Sequence, residues 1–476
     1  MRLGTRHARG FWSAALLLLL LAVPGAASAA GGTATCSAFV DVTVVPMDQE
    51  RLLPHRTVLV RGDRIREVAA VGSLAVPGGC AKIDGRERFL IPGLTDSHVH
   101  LFGYTRAGAG DRRIESAILM MLLANGVTTA VVMEGTPGIV SLREDVARDR
   151  VLGPKLYSAG PLIQMADSGE LPWRRTFTTP EEVRQEVVAE KRAGYDFVKV
   201  HGDLPEESYR VLLETARQEG LRVVGHVPAN LGIDAALSGR QALIVHAESF
   251  LDAYFRFHRD LPTDPAEADR MVRDVAARTA RAGTWVQPTL SVFRQIVAQI
   301  SDIDALLERP AMRYLPAAAA VDWQPSSNPY LKHWTLADIP KLRAQYSLMQ
   351  RLVRGLRDAG VPLLAGTDPM VPSQLPGFSM KDELEQLTAA GLTPFEALQA
   401  ATASQGRFLG TIADTGTVAP GKVADLVLLA ANPLLDVDNI FRQDGVMLHG
   451  RWFSAARLQE ELARMARAAR PGSTAP

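Results

Sequence analysis

His98 and His100 stand as His-x-His within Leu94-Thr95-Asp96-Ser97-His98-Val99-His100-Leu101, and Lys199, His226, His246 and Asp368 each follow a short β-branched run. Residues i and i+2 of a strand face the same way, so His98 and His100 can offer two imidazoles to one metal ion. Lys199, in Phe197-Val198-Lys199-Val200-His201-Gly202, is the least ordinary member of the set. A lysine in an apolar strand usually snorkels to water or pairs with a carboxylate, and its cation would repel a metal. Desolvation and nearby positive charge lower its pKa and free the neutral amine. Carbon dioxide would convert that amine to a carbamate, an anion whose two oxygens could bridge two ions. His201, two residues further on, is a candidate substrate contact at the same mouth. The other histidines have bland places: His7 near the N-terminus, His55, His258 and His449 away from strand ends, and His333 in a long excursion.

Eight strand-like runs carry these residues, at 94–100, 127–133, 155–158, 197–200, 222–226, 242–246, 284–290 and 361–367. Helical patterns alternate with them, several ending at a glycine such as Gly194, Gly220, Gly283 or Gly360. Eight strand–helix alternations predict a (β/α)8 TIM barrel, in which active sites gather at the carboxyl ends of the strands. His98 and His100, Lys199, His226, His246 and Asp368 fall at those ends of strands one, four, five, six and eight. Five short strand patterns precede the barrel and three follow it, so a small β-sandwich domain built from both terminal segments is expected. The expected division is a signal peptide at 1–29, sandwich at 30–91, barrel at 92–410, sandwich again at 411–455, and a C-terminal helix and tail at 456–476.

With 476 residues, 47% hydrophobic and 22% charged, and equal numbers of acidic and basic side chains, the chain resembles an ordinary globular protein. It has no basic block interleaved with aromatics, which argues against a nucleic-acid partner. Arg2, Arg6 and Arg9, an apolar stretch from Trp12 to Val23 and Ala27-Ser28-Ala29 form the pattern of a cleaved export signal. That stretch is shorter than the roughly 20 residues a spanning helix needs, so a periplasmic or secreted protein without a stable membrane anchor is expected. In an oxidising compartment the two cysteines, Cys36 and Cys80, could form a disulfide or remain free thiols.

The combined motifs resemble the metal-dependent amidohydrolase superfamily, in its imidazolonepropionase-like and Xaa-Pro dipeptidase-like branch. They run from Leu90-Ile91-Pro92-Gly93-Leu94-Thr95-Asp96-Ser97-His98-Val99-His100 through Gly126-Val127-Thr128-Thr129, Gly225-His226-Val227-Pro228, Val245-His246-Ala247-Glu248 and Ala365-Gly366-Thr367-Asp368 to Ala424-Asp425-Leu426-Val427. The resemblance implies that His98, His100 and Asp368 bind the more buried of two divalent ions, and His226 and His246 the more exposed one. N6-carboxylated Lys199 would bridge both together with a hydroxide. Zinc suits imidazole and carboxylate ligands, as do manganese, cobalt and iron. Asp368 would take the proton from the attacking water and pass it to the leaving nitrogen.

Departures from the branch bear on the substrate. Lys199 and His226 are 27 positions apart, less than in dipeptidase-like members, which argues against strict Xaa-Pro specificity. Lys199 itself argues against imidazolonepropionase-type chemistry, which uses one metal and no bridging lysine. The expected reaction is hydrolysis of an amide in a small molecule, such as a dipeptide or an N-acyl amino acid. The alternatives are a lactone, carbamate or phosphotriester, or cyclic-amide hydrolysis or deamination. A non-catalytic scaffold would be expected to have lost ligands, and all six are present. Loops at 102–113, 161–179, 317–335 and 369–379 would build the substrate pocket, with Tyr104, Arg106, Trp173, Trp323 and Tyr330 as candidates. A homo-oligomer is compatible with the sequence.

Overall fold

The computed structural model describes residues 36–102, 110–165, 174–256, 261–316, 320, 323–369 and 371–468. The expected signal, Tyr104, Arg106, Trp173 and the C-terminal tail lie outside them. Valine-rich segments between turns open the described chain: β1 (Cys36–Val44), β2 (Leu53–Arg61), β3 (Arg64–Ala70), β4 (Ala81–Asp84) and β5 (Phe89–Pro92). Three late strands, β14 (Leu426–Leu429), β15 (Gln443–Leu448) and β16 (Arg451–Ser454), join them. The resulting mixed, sandwich-like sheet has the order β16-β15-β14-β5-β1-β2-β3, with β4 on β1. The two chain segments meet where β5 pairs antiparallel with β14, Ile91 opposite Val427. Phe39, Val58, Ile65, Leu90, Leu426 and Met447 form its apolar core. A disulfide joins Cys36 to Cys80.

Gly93 carries the chain from this sheet into the barrel. A Cβ there would lie 2.1 Å from the Thr128 hydroxyl, so the approach requires glycine. The barrel strands are β6 (Leu94–Val99), β7 (Val127–Val132), β8 (Lys155–Met165), β10 (Phe197–Val200), β11 (Arg222–Gly225), β12 (Leu243–Val245) and β13 (Trp285–Gln287), all parallel in that spatial order. The eighth position is irregular, with Leu363 bridging Val286 and Leu364 N–H donating to the Val286 carbonyl at 3.0 Å. Its other edge reaches β6, where Asp368 N–H donates to the His98 carbonyl at 2.9 Å. The segment 361–368 therefore closes the (β/α)8 barrel.

The helices begin and end on local chemistry. Pro265–Ala282 starts at Asp264, whose carboxylate accepts from the amides of Ala266 and Glu267, and stops at Gly283 with φ 70°. Pro180–Ala193 has a Thr179/Glu182 capping box and stops at Gly194. Among the described residues no helix is long and apolar enough to cross a membrane.

Three expectations need correction. The third barrel strand does not stop at Ser158 but continues to Met165, and an extra strand, β9 (Arg174–Phe177), pairs with it, so 161–179 is only partly loop. The seventh strand stops at Gln287. Thr289 then turns left-handed at φ 47° and the helix Leu290–Leu307 begins, its first amides donating to the buried Glu383 carboxylate. Trp323, expected at the pocket, is fully buried in the main core instead.

Candidate metal centre

Strand alternation aims Lys199 into the barrel. Its neighbours Val198 and Val200 pack outward with Val183 and Leu212 of the helix layer, so Phe197 and Lys199 face inward. His98 stands next to the end of β6 on the same interior, and His100 follows the strand. His226 leaves β11 after Gly225, where φ is 123° and a Cβ would meet the Val200 carbonyl at 2.1 Å. His246 and Asp368 turn away from their strands with φ of 64° and 47°. Non-glycine residues in this region cost about 1–3 kcal/mol each and persist where surrounding contacts fix them. Here Ala247 N–H donates to Pro288 and Asp368 N–H to His98, at 3.0 and 2.9 Å.

The side chains converge. One ligand atom from each of His98, His246 and Asp368 lies within 4.8 Å of the others. Asp368 Oδ1 stands 2.9 Å from His100 Nε2 and 3.5 Å from His98 Nε2, while Oδ2 is 3.9 Å from His246 Nε2. The His226 and His246 ring centroids are 4.7 Å apart, and those of His201 and His226 4.9 Å. Lys199 and His201 line the same cavity, of about 1170 Å³, as do His98, His100, His226, His246 and Asp368. Tyr330 also lines it.

Further residues orient the imidazoles. His98 Nδ1 lies 2.8 Å from Gln287 Oε1, and Gln287 Nε2 donates to Ser97 Oγ at 2.5 Å. An amide oxygen only accepts, so His98 carries its proton on Nδ1 and turns the Nε2 lone pair into the site. Thr289 Oγ1 is 2.6 Å from His246 Nδ1, and Glu134 Oε2 3.1 Å from His100 Nδ1. Asp96, beneath the site, accepts from the Thr367 amide at 3.0 Å and the Thr367 hydroxyl at 2.6 Å, tying β6 to the closing segment. Gln287, Thr289 and Glu134 escaped the sequence reading. Their signal was position alone, since each sits at or just beyond the carboxyl end of a barrel strand.

Burial sets the charge states. It pushes His246 down to about 3 and His201 down to about 4, and holds His98 and His226 well below the ordinary value. Neutral imidazole is the form that binds metal. Burial also lowers Lys199 to about 8, against the opposing pull of Asp368 and Glu134. For His100 burial is outweighed by contacts with Asp368 and Glu134, which raise it to about 9. Among the described residues, the buried Lys199 Nζ and His226 Nδ1 have no hydrogen-bond partner. Orphaned polar atoms beside imidazoles and carboxylates fit a site that holds divalent cations.

Residues 89–453 match the amidohydrolase family across most of the chain, and the protein belongs to that family. It is a hydrolase acting on carbon–nitrogen bonds. Among its relatives, an ochratoxinase of Aspergillus niger is 25% identical over 467 residues, spanning 85% of this chain and 83% of its own. An uncharacterised protein of Mycobacterium tuberculosis is 25% identical over 406 residues, 79% of this chain and 88% of the relative. Among solved structures, a bottromycin amidohydrolase superposes with TM-score 0.71 at 23% identity, covering 91% of this chain and 90% of the other. A Xaa-Pro dipeptidase with bound methionine superposes with TM-score 0.66 at 18% identity, covering 88% and 100%. At these identities the solved structures share the fold.

Proposed function

We propose that this protein is an exported, binuclear metal hydrolase that cleaves the amide bond of a dipeptide or an N-acyl amino acid. The observation that carries this reading is Lys199, a fully buried amine without a hydrogen-bond partner among the described residues, in a cavity it shares with the neutral imidazoles of His98, His201, His226 and His246 and the carboxylate of Asp368. In this reading His98, His100 and Asp368 would hold one divalent ion and His226 and His246 the other, with zinc the expected metal. N6-carboxylated Lys199 would be a ligand shared by both. Divalent ions, when bound, supply Lewis acidity, polarising a carbonyl and lowering the pKa of water from about 15.7 towards 7.

The chain's own residues do the rest. Gln287, Thr289 and Glu134 fix the rings of His98, His246 and His100, so that each presents Nε2. Asp368 faces both histidine groups, and the hydrogen bond from His100 Nε2 at 2.9 Å keeps it ionised against the effect of burial. It accepts the proton of the attacking water and returns it to the leaving nitrogen, which departs as a neutral amine. The dipeptidase, by its name, acts on this class of bond.

The test is a panel of dipeptides and N-acyl amino acids run beside lactones, carbamates and phosphotriesters. Turnover of the amides is expected, and activity confined to the other electrophiles would overturn the proposal. Lys199→Ala should lose activity and recover part of it with small carboxylic acids. Full activity in the unaided variant would remove the bridge.

A further inference from the structure

The cavity that contains the metal-ligating side chains extends well beyond them. At about 1170 Å³ it exceeds the roughly 300–1,000 Å³ typical of sites for drug-sized ligands. One wall is largely apolar and comes from three helical segments outside the strand-end set: Phe293 and Ile296 from Leu290–Leu307, Tyr330 from Pro329–His333, and Leu342 and Met349 from Ile339–Asp358, with Trp334 between the last two; His333, Lys341 and Gln345 of the same segments also line the cavity. Phe293, Ile296, Tyr330, Trp334 and Leu342 also pack into one small apolar cluster, which touches the main core through Phe293. The wall is therefore a built surface. The short side chains of a dipeptide would cover little of it and leave the rest facing water, which apolar burial disfavours.

Resting on the amide-hydrolase reading above, the geometry points to an N-acyl amino acid with a long apolar acyl chain as the substrate class. The acyl chain lies along the Phe293–Trp334 wall, and its carbonyl reaches the ligand cluster. Water adds to that carbonyl carbon, the carbon–nitrogen bond breaks, and a fatty acid and a free amino acid leave. No other reactant is required.

The experiment measures kcat/KM for N-acylglycines and N-acylphenylalanines from acetyl to decanoyl with the metal-loaded protein, beside unmodified dipeptides. Each buried methylene contributes roughly a fourfold gain, and a rise of at least about 100-fold from acetyl to decanoyl is expected. Trp334→Ala should reduce the decanoyl-to-acetyl ratio, with metal content unchanged. Turnover that is flat or falling with chain length, or an undiminished ratio in Trp334→Ala, would overturn this inference while leaving amide hydrolysis intact. Absence of turnover for every amide would overturn both.

Discussion

The mouth of the barrel and the mixed sheet beside it bury opposite kinds of side chain. The sheet core of Phe39, Val58, Ile65, Leu90, Leu426 and Met447 is hydrocarbon. The mouth buries His98, Lys199 and His246 almost completely, and Lys199 has no hydrogen-bond partner among the described residues. A buried polar group without a partner costs about 1–3 kcal/mol, so the mouth lowers stability where the sheet adds to it. The contrast separates the part of the chain arranged for chemistry from the part arranged for folding.

Substitutions should sort along that line. The largest effect is expected from Lys199→Met, which puts an apolar chain of similar length in the barrel. Turnover should vanish while the metal-free protein gains about 1–3 kcal/mol of stability by urea unfolding. A loss of stability there would break the contrast. Asp368→Asn should lower kcat by about 10²–10⁴-fold with little change in unfolding midpoint, as steady-state kinetics and circular dichroism would register. Glu134→Gln, which leaves all metal-ligating side chains in place, should weaken metal affinity by about 10–100-fold in a chelator competition. In the sheet the pattern reverses. Phe39→Ala removes a ring that packs edge-on against Trp452 at 5.5 Å, and should cost about 3–5 kcal/mol with kcat per folded molecule unchanged. Replacing Cys36 by serine opens the link to Cys80 across 44 residues, and should cost about 2–4 kcal/mol, again without altering kcat.

Much of this arrangement was legible in the sequence, because strand period and helix caps are local. The strand Phe197–Val200 has the expected bounds, and the helices Pro180–Ala193 and Pro265–Ala282 stop at the expected Gly194 and Gly283. The convergence of His98, Lys199, His226, His246 and Asp368 follows from barrel geometry once each is placed at a strand end. What escaped depends on contacts distant in the chain. Glu134 is a lone carboxylate with no spacing signature, and only the fold brings it to His100. The seventh strand stops at Gln287, next to Pro288, which has no N–H for a ladder, and Thr289 Oγ1 then stands 2.6 Å from His246 Nδ1 on the neighbouring strand end. The eighth strand is reduced to a bridge at Leu363, next to Pro362, which has no N–H to give to a ladder. Trp323 sits in a segment whose composition reads as a surface loop, yet the main core takes its ring.

The central claim is that Lys199 spans two ions. Metal content per chain, measured by elemental analysis on protein purified without added metal or chelator, tests it most directly. The account predicts about two ions per chain in the wild type and fewer in Lys199→Ala. One ion in the wild type, or two retained by Lys199→Ala, would contradict it.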